Sequence, residues 1–185
     1  MKIKKANAIL GLLTIPLMLA HIGYLSYCYL TMSVPAAKNP LSYPLMVVCS
    51  LHALLGMSVL FFRADGTQTK QYAGLNRKTI LQRLTAILII PLLVLHINTW
   101  RLLEATSGNG QWFLFGLLLF AEALFFAVVL THVAVSWTNA LITMGWLTSM
   151  EKKKKMDTAG YIVLALAFAG AVYAVLPAQI AMFAS

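Results

Sequence analysis

Histidine occurs four times in this 185-residue chain, at His21, His52, His96 and His132. A neutral imidazole can ligate a transition metal, act as a general base or shuttle protons. Four imidazoles suffice for two six-coordinate haem irons, each held by two axial nitrogens, an arrangement that favours electron transfer over oxygen binding. A histidine can also do no more than hydrogen-bond across a helix interface or pass protons along a relay. Which chemistry applies depends on the elements that carry the four rings.

Those elements are set by composition. The chain is 61% hydrophobic and only 10% charged, with a mean hydropathy of +0.82. It has too little polar surface to cover a soluble globule, and so reads as an integral membrane protein. The charge-free stretches Ala6–Ala37, Asn39–Phe62, Leu84–Trp100, Ala123–Met150 and Thr158–Ser185 each approach or exceed the length that crosses a bilayer as helix, about 20 residues. The runs are continuously apolar and lack the period-two alternation of a membrane barrel, which leaves an all-α bundle. Five spans are expected, at about 7–32, 45–62, 79–103, 112–148 and 158–183, in a single transmembrane haem-binding domain.

The net charge of +9 invites a nucleic-acid reading, which the placement of the charges opposes. Lys2, Lys4 and Lys5 precede span one. Arg63, Lys70, Arg77, Lys78 and Arg83 surround the loop after span two, and Lys152 to Lys155 precede span five. All of these belong to one side, leaving Lys38 and Arg101 on the other. By the positive-inside rule the N-terminus is cytoplasmic and the C-terminus outside, in a bacterial or archaeal cytoplasmic membrane. "EKKKK" at 151–155 is then a solvated topology signal with a secondary affinity for anionic lipid or partner subunits. "MKIKKANAILGLLTIPLML" resembles a signal peptide, but its apolar run is too long and it reads as a retained first span.

Span four is anomalous. Between Gln111 and Met150 the only charge is Glu122, and a helix of that length would reach about 60 Å, twice the hydrocarbon thickness. It must tilt, kink or project. Cys28 and Cys49 are too few for a disulfide framework and read as small buried thiols, and the absence of CxxCH excludes covalently attached haem.

Each histidine falls on a different one of the first four spans. His21 lies about 21 Å from the cytoplasmic start of span one and His96 about 25 Å from that of span three, both in the outer half of the bilayer. His52 lies about 16 Å from the inner end of span two, near mid-depth. His132 cannot be placed by depth because span four is overlong, so its partner follows by elimination. The expected pairs are His21 with His96 on an outer haem iron and His52 with His132 on an inner one. Gly56 and Ser136, one turn after His52 and His132, provide small residues on the same faces.

Haem propionates need cationic or hydrogen-bonding partners near the interfaces. Gln82 and Arg83 are candidates on the inner side, and Arg101 with Asn98 or Trp100 on the outer side, although each arginine could simply snorkel. Glu122 is a candidate for proton exchange with an outer quinone, or an interfacial residue if span four projects. Glu104 is the other outer carboxylate.

The segments "HALLGM" at 52–57, "LQRLTAILIIPLLVLHI" at 81–97 and "THVAVSWTNALITMGW" at 131–146 resemble the five-helix, dihaem cytochrome b anchors of succinate:quinone oxidoreductases and quinol:fumarate reductases. The likeness runs through nearly the whole chain in span order. It implies two haem b groups, with the first- and third-span histidines on one and the second- and fourth-span histidines on the other. It also implies a flavoprotein and an iron–sulfur subunit on the cytoplasmic face, with menaquinone or ubiquinone as substrate. Ala86 stands where the family motif usually has glycine, and the loop after span one lacks the carboxylate that some members use there.

No Ser/His/Asp, paired-carboxylate, P-loop or CxxC constellation is present, so no catalytic residue for a dicarboxylate is expected on this chain. Two other functions remain open. One is the haem b subunit of a nitrate reductase, hydrogenase or formate dehydrogenase, against which one histidine on each of four spans argues. The other is a histidine-relay channel or transporter, against which the lack of paired acids and broken central helices argues. Oligomerisation of the whole complex is compatible with either reading.

Overall fold

The computed structural model describes residues 2–33, 40–62 and 73–183. The Pro-rich connection that carries Lys38 and most of the polar loop after span two, with Arg63 and Lys70, lie outside the described residues. The described residues form five α-helices and no strand: α1 (Lys2–Leu30), α2 (Ser42–Phe62), α3 (Ala73–Gly108), α4 (Trp112–Met144) and α5 (Met150–Phe183). Four of these, α1, α3, α4 and α5, are long and apolar enough to cross a membrane, and α2 contributes a shorter apolar stretch, Ser42–Ser58.

Large apolar side chains point outward on every helix, among them Leu13, Leu54, Phe113 and Leu166. A bundle in water would hide them, whereas lipid solvates them at no cost, so this is the surface of a multi-pass helical membrane protein.

The anomaly of span four is removed by a chain break at Gly145. That glycine adopts a left-handed conformation, φ 80°, which costs a glycine little. Its N–H reaches Ile142 O at 2.9 Å and the Trp146 N–H reaches Leu141 O at 3.0 Å. This is a Schellman closure, which satisfies the last carbonyls and ends α4 at Met144, four residues before the expected boundary. Gly110 closes α3 in the same way, within the "SGNG" break.

α5 starts earlier than the apolar pattern suggested and takes in the lysine run. Lys153 is only 5% exposed, so at this position the expectation of a solvated run is wrong. The physical reason is Asp157, one turn along the same face, whose Oδ2 lies 2.8 Å from Lys153 Nζ. Lys155 behaves as expected: it is exposed, and pairs with Glu151 at 2.7 Å.

α4 is the hub of the bundle and packs against α1, α3 and α5, while α2 rests chiefly on α1. One core cluster joins Met18 of α1, Leu130 and Ala134 of α4 and Leu164 of α5. A second joins Leu103 of α3 to Phe115 and Leu118 of α4, with Phe183 of α5 against it. α4 runs antiparallel to both α3 and α5. Along α3 the contacts with α4 pass from Gln82 beside His132 to Thr99 beside Glu122. Along α5 they pass from Asp157 beside Thr138 to Phe183 in the second cluster. The basic starts of α3 and α5 therefore meet at one end of the bundle, where Lys78 Nζ lies 2.8 Å from Asp157 Oδ2.

Candidate functional site

The histidines gather in two places at different levels along the bundle. Nearer the basic end, the rings of His52 on α2 and His132 on α4 stand 6.4 Å apart between centroids at an interplanar angle of 66°. Each ring is pinned through Nδ1. His52 Nδ1 lies 3.1 Å from the carbonyl oxygen of Asn7 on α1. His132 Nδ1 lies 3.1 Å from the carbonyl oxygen of Gln82 on α3 and 3.0 Å from Thr85 Oγ1. Thr85 is anchored in turn on Leu81 O at 2.7 Å.

A backbone carbonyl can only accept, so these contacts place the proton of each neutral ring on Nδ1 and leave Nε2 with its lone pair. Metal-ligating histidines are commonly oriented by this kind of outer contact.

α1 accommodates the His52 ring because residue 11 is glycine: a Cβ there would stand 3.0 Å from His52 Cε1. Gly56, expected to serve as a small residue near the ligand, faces the Asn7 side chain, whose Oδ1 would lie 3.8 Å from an added Cβ. Ser136 turns its hydroxyl back to His132 O at 2.6 Å, so it braces its own helix.

At the other place, His96 on α3 stacks on Phe125 of α4, 4.5 Å between centroids and 22° from parallel. Its Nδ1 is 2.8 Å from Glu122 Oε1. Glu122 is 4% exposed, and its Oε2 accepts from Thr99 Oγ1 at 3.1 Å. Glu122 is therefore inside the bundle and in direct contact with a histidine. His21, half-buried on α1, lies near His96.

The other candidates are more peripheral. Gln82 contributes its backbone carbonyl to His132. Arg83 is half-buried and, among the described residues, makes no hydrogen bond or ion pair. Arg101 and Glu104 are exposed near the end of α3. Asn98 Nδ2 donates to Val94 O of its own helix, and Trp100 stands edge-on to Phe183 at 4.8 Å between centroids. Cys28 is buried, Cys49 half-buried, and both are free thiols.

Sequence reading missed Thr85, Thr99, Gly11 and Phe125. A signal existed for the threonines. Thr85, Thr99 and Thr106 recur at multiples of a heptad along α3, each 4% exposed, and mark the face that meets α4.

The spacing of His52 and His132 fits two imidazole ligands on one metal. An imidazole nitrogen sits about 2 Å from a bound metal and about 1 Å from its own ring centre, so two rings sharing one metal have centroids about 6 Å apart. His52 and His132 have that spacing. They come from different helices and both carry Nδ1 anchors. A histidine that only bridges two helices needs one such anchor and no second imidazole. In comparisons with known proteins, the chain matches no family model, no curated protein and no solved structure.

Proposed function

We propose that this chain is a dihaem cytochrome b membrane anchor. In this reading it carries electrons between a membrane quinone and the flavoprotein and iron–sulfur subunits of a succinate dehydrogenase or fumarate reductase. The observation that carries the haem assignment is the division of four histidines, one on each of four helices, into two neighbouring pairs at different levels along the bundle. The succinate or fumarate partners rest on the resemblance of the segments at 52–57, 81–97 and 131–146.

Each haem, when bound, supplies a one-electron carrier. The chain's own residues hold and tune it. His52 and His132 offer Nε2 on the inner side, oriented by the carbonyls of Asn7 and Gln82 and by Thr85. His21 and His96 offer theirs on the outer side. Arg83, half-buried and without a described partner, is a cation available to an inner propionate, and Arg101 plays that part outside.

The membrane topology belongs to the same proposal: α2 is a fifth span, the N-terminus is cytoplasmic and the C-terminus is outside, in a bacterial or archaeal cytoplasmic membrane. The basic starts of α3 and α5, joined by Lys78 and Asp157, then face the docked soluble subunits.

The test is purification from membranes with a pyridine haemochrome count and identification of the copurifying subunits. About two b-type haems per chain, low-spin when reduced, together with a flavoprotein and an iron–sulfur protein are expected. Protein without haem absorbance overturns the haem assignment. A molybdenum or nickel subunit in place of the flavoprotein keeps the haems but overturns the succinate or fumarate partners.

A further inference from the structure

His52 and His132 turn Nδ1 toward neutral acceptors, the carbonyls of Asn7 and Gln82. His96 turns Nδ1 toward a carboxyl group, Glu122 Oε1, at 2.8 Å. The second oxygen of that group is also occupied, by Thr99 Oγ1 at 3.1 Å. Both oxygens of Glu122 are thus committed to α3, in a place that leaves the residue 4% exposed. Phe125, almost one turn along α4, stacks on the His96 ring and fixes its plane.

A carboxyl group in an apolar bundle is costly, and one placed behind an imidazole has a definite effect on that ring. Accepting from Nδ1–H selects the tautomer whose Nε2 is free to ligate. A negative charge behind the ring makes that Nε2 a stronger donor and favours the more positive, oxidised state of whatever metal it holds.

We propose that Glu122 is a positioning residue for His96: it orients the ring through Nδ1 and places negative charge behind one of the two haem centres only. The proposal rests on the haem reading above. It makes the two centres inequivalent by a device in this chain's own side chains. The His96 centre has a carboxylate behind its ligand, and the His52–His132 centre has peptide carbonyls.

The test is redox titration and low-temperature electron paramagnetic resonance of the haem-loaded protein as purified from membranes. Wild type is compared with Glu122→Gln and Thr99→Val. Glu122→Gln keeps an acceptor oxygen but removes the charge. It is expected to retain both haems and to make one of them easier to reduce by about tenfold in the equilibrium constant, about 59 mV for one electron. The resonance signal of the same centre should move and that of the other should stay.

Thr99→Val removes a hydrogen bond that supports the carboxylate, so the potential and the resonance signal of the same centre should move and those of the other should stay. A merely structural role would not single out one centre. If Glu122→Gln fails to accumulate, the Thr99→Val shift decides. A two-haem wild type in which these variants leave both potentials and both signals unmoved, or move the two centres alike, overturns the proposal and spares the haem reading. A wild type without haem overturns both.

Discussion

Lys78 Nζ on α3 lies 2.8 Å from Asp157 Oδ2 on α5, a contact between residues 79 apart in sequence that ties the starts of the two helices together. The same Asp157 oxygen receives Lys153 Nζ at 2.8 Å, and the other receives Thr138 Oγ1 of α4 at 2.6 Å. One carboxylate thus joins three helices. Lys153 is 5% exposed, so removing its partner strands a buried cation, for which a loss of about 3 kcal/mol is expected. Asp157→Asn should therefore lower the midpoint of unfolding in detergent. Asp157→Asn combined with Lys153→Met should recover most of the loss, because methionine fills a similar volume and carries no charge to be stranded. A double variant no more stable than the single one would show that Lys153 is not the group harmed.

A second constraint lies between α4 and α5. A Cβ added to Gly160 would stand 2.7 Å from Trp137 Nε1 and 3.0 Å from its Cε2, closer than side-chain carbons approach without something moving. The indole occupies the space that glycine leaves. Gly160→Ala is expected to destabilise the bundle by about 1 to 3 kcal/mol through overpacking. The tryptophan emission should change with it. The smaller ring of Trp137→Phe should relieve Gly160→Ala in the double variant, and failure of that relief would locate the strain elsewhere.

Much of this arrangement was legible in the sequence because lipid imposes few options. Each expected span falls on one helix, since an uninterrupted apolar run has to satisfy its own backbone. The nearness of His21 to His96 was expected from depth along those helices, and that of His52 to His132 by elimination.

What was less legible depends on single side chains. Gly145 stands in a charge-free run, and hydropathy does not register a left-handed residue as a stop. Lys153 and its neighbours look like a solvated loop until Asp157 is seen to face one of them. Glu122 could be read as interfacial only while the ends of α4 were unknown. Its contact with His96 depends on the rotation of α3 against α4, which the heptad of threonines encodes and apolar content does not.

The site has a steric dependence of its own. Gly11 lets α1 pass within van der Waals reach of the His52 ring, and an added Cβ would meet His52 Cε1 at 3.0 Å. Gly11→Val adds branched volume at that point and should push the ring away from both Asn7 O and His132. On the haem reading, the variant should retain about one haem per chain instead of two, with the spectrum of the remaining centre unchanged. Two haems with an unaltered spectrum would mean that the His52 ring is not held against α1 as described.

The pairing itself predicts a pattern that single substitutions cannot give. If His52 and His132 serve one iron, replacing either with alanine removes that haem, and replacing both removes nothing further. His52→Ala with His132→Ala should therefore leave about one haem per chain, as each single variant does. If His21 and His96 serve the other iron, then His52→Ala with His96→Ala breaks both centres and should leave none. The two double variants remove the same number of imidazoles from the bundle, so a general loss of stability affects them similarly and only the pairing separates them. The measurement is a haemochrome count on protein matched for helix content by circular dichroism. Equal counts in the two double variants would rule out the assignment of partners.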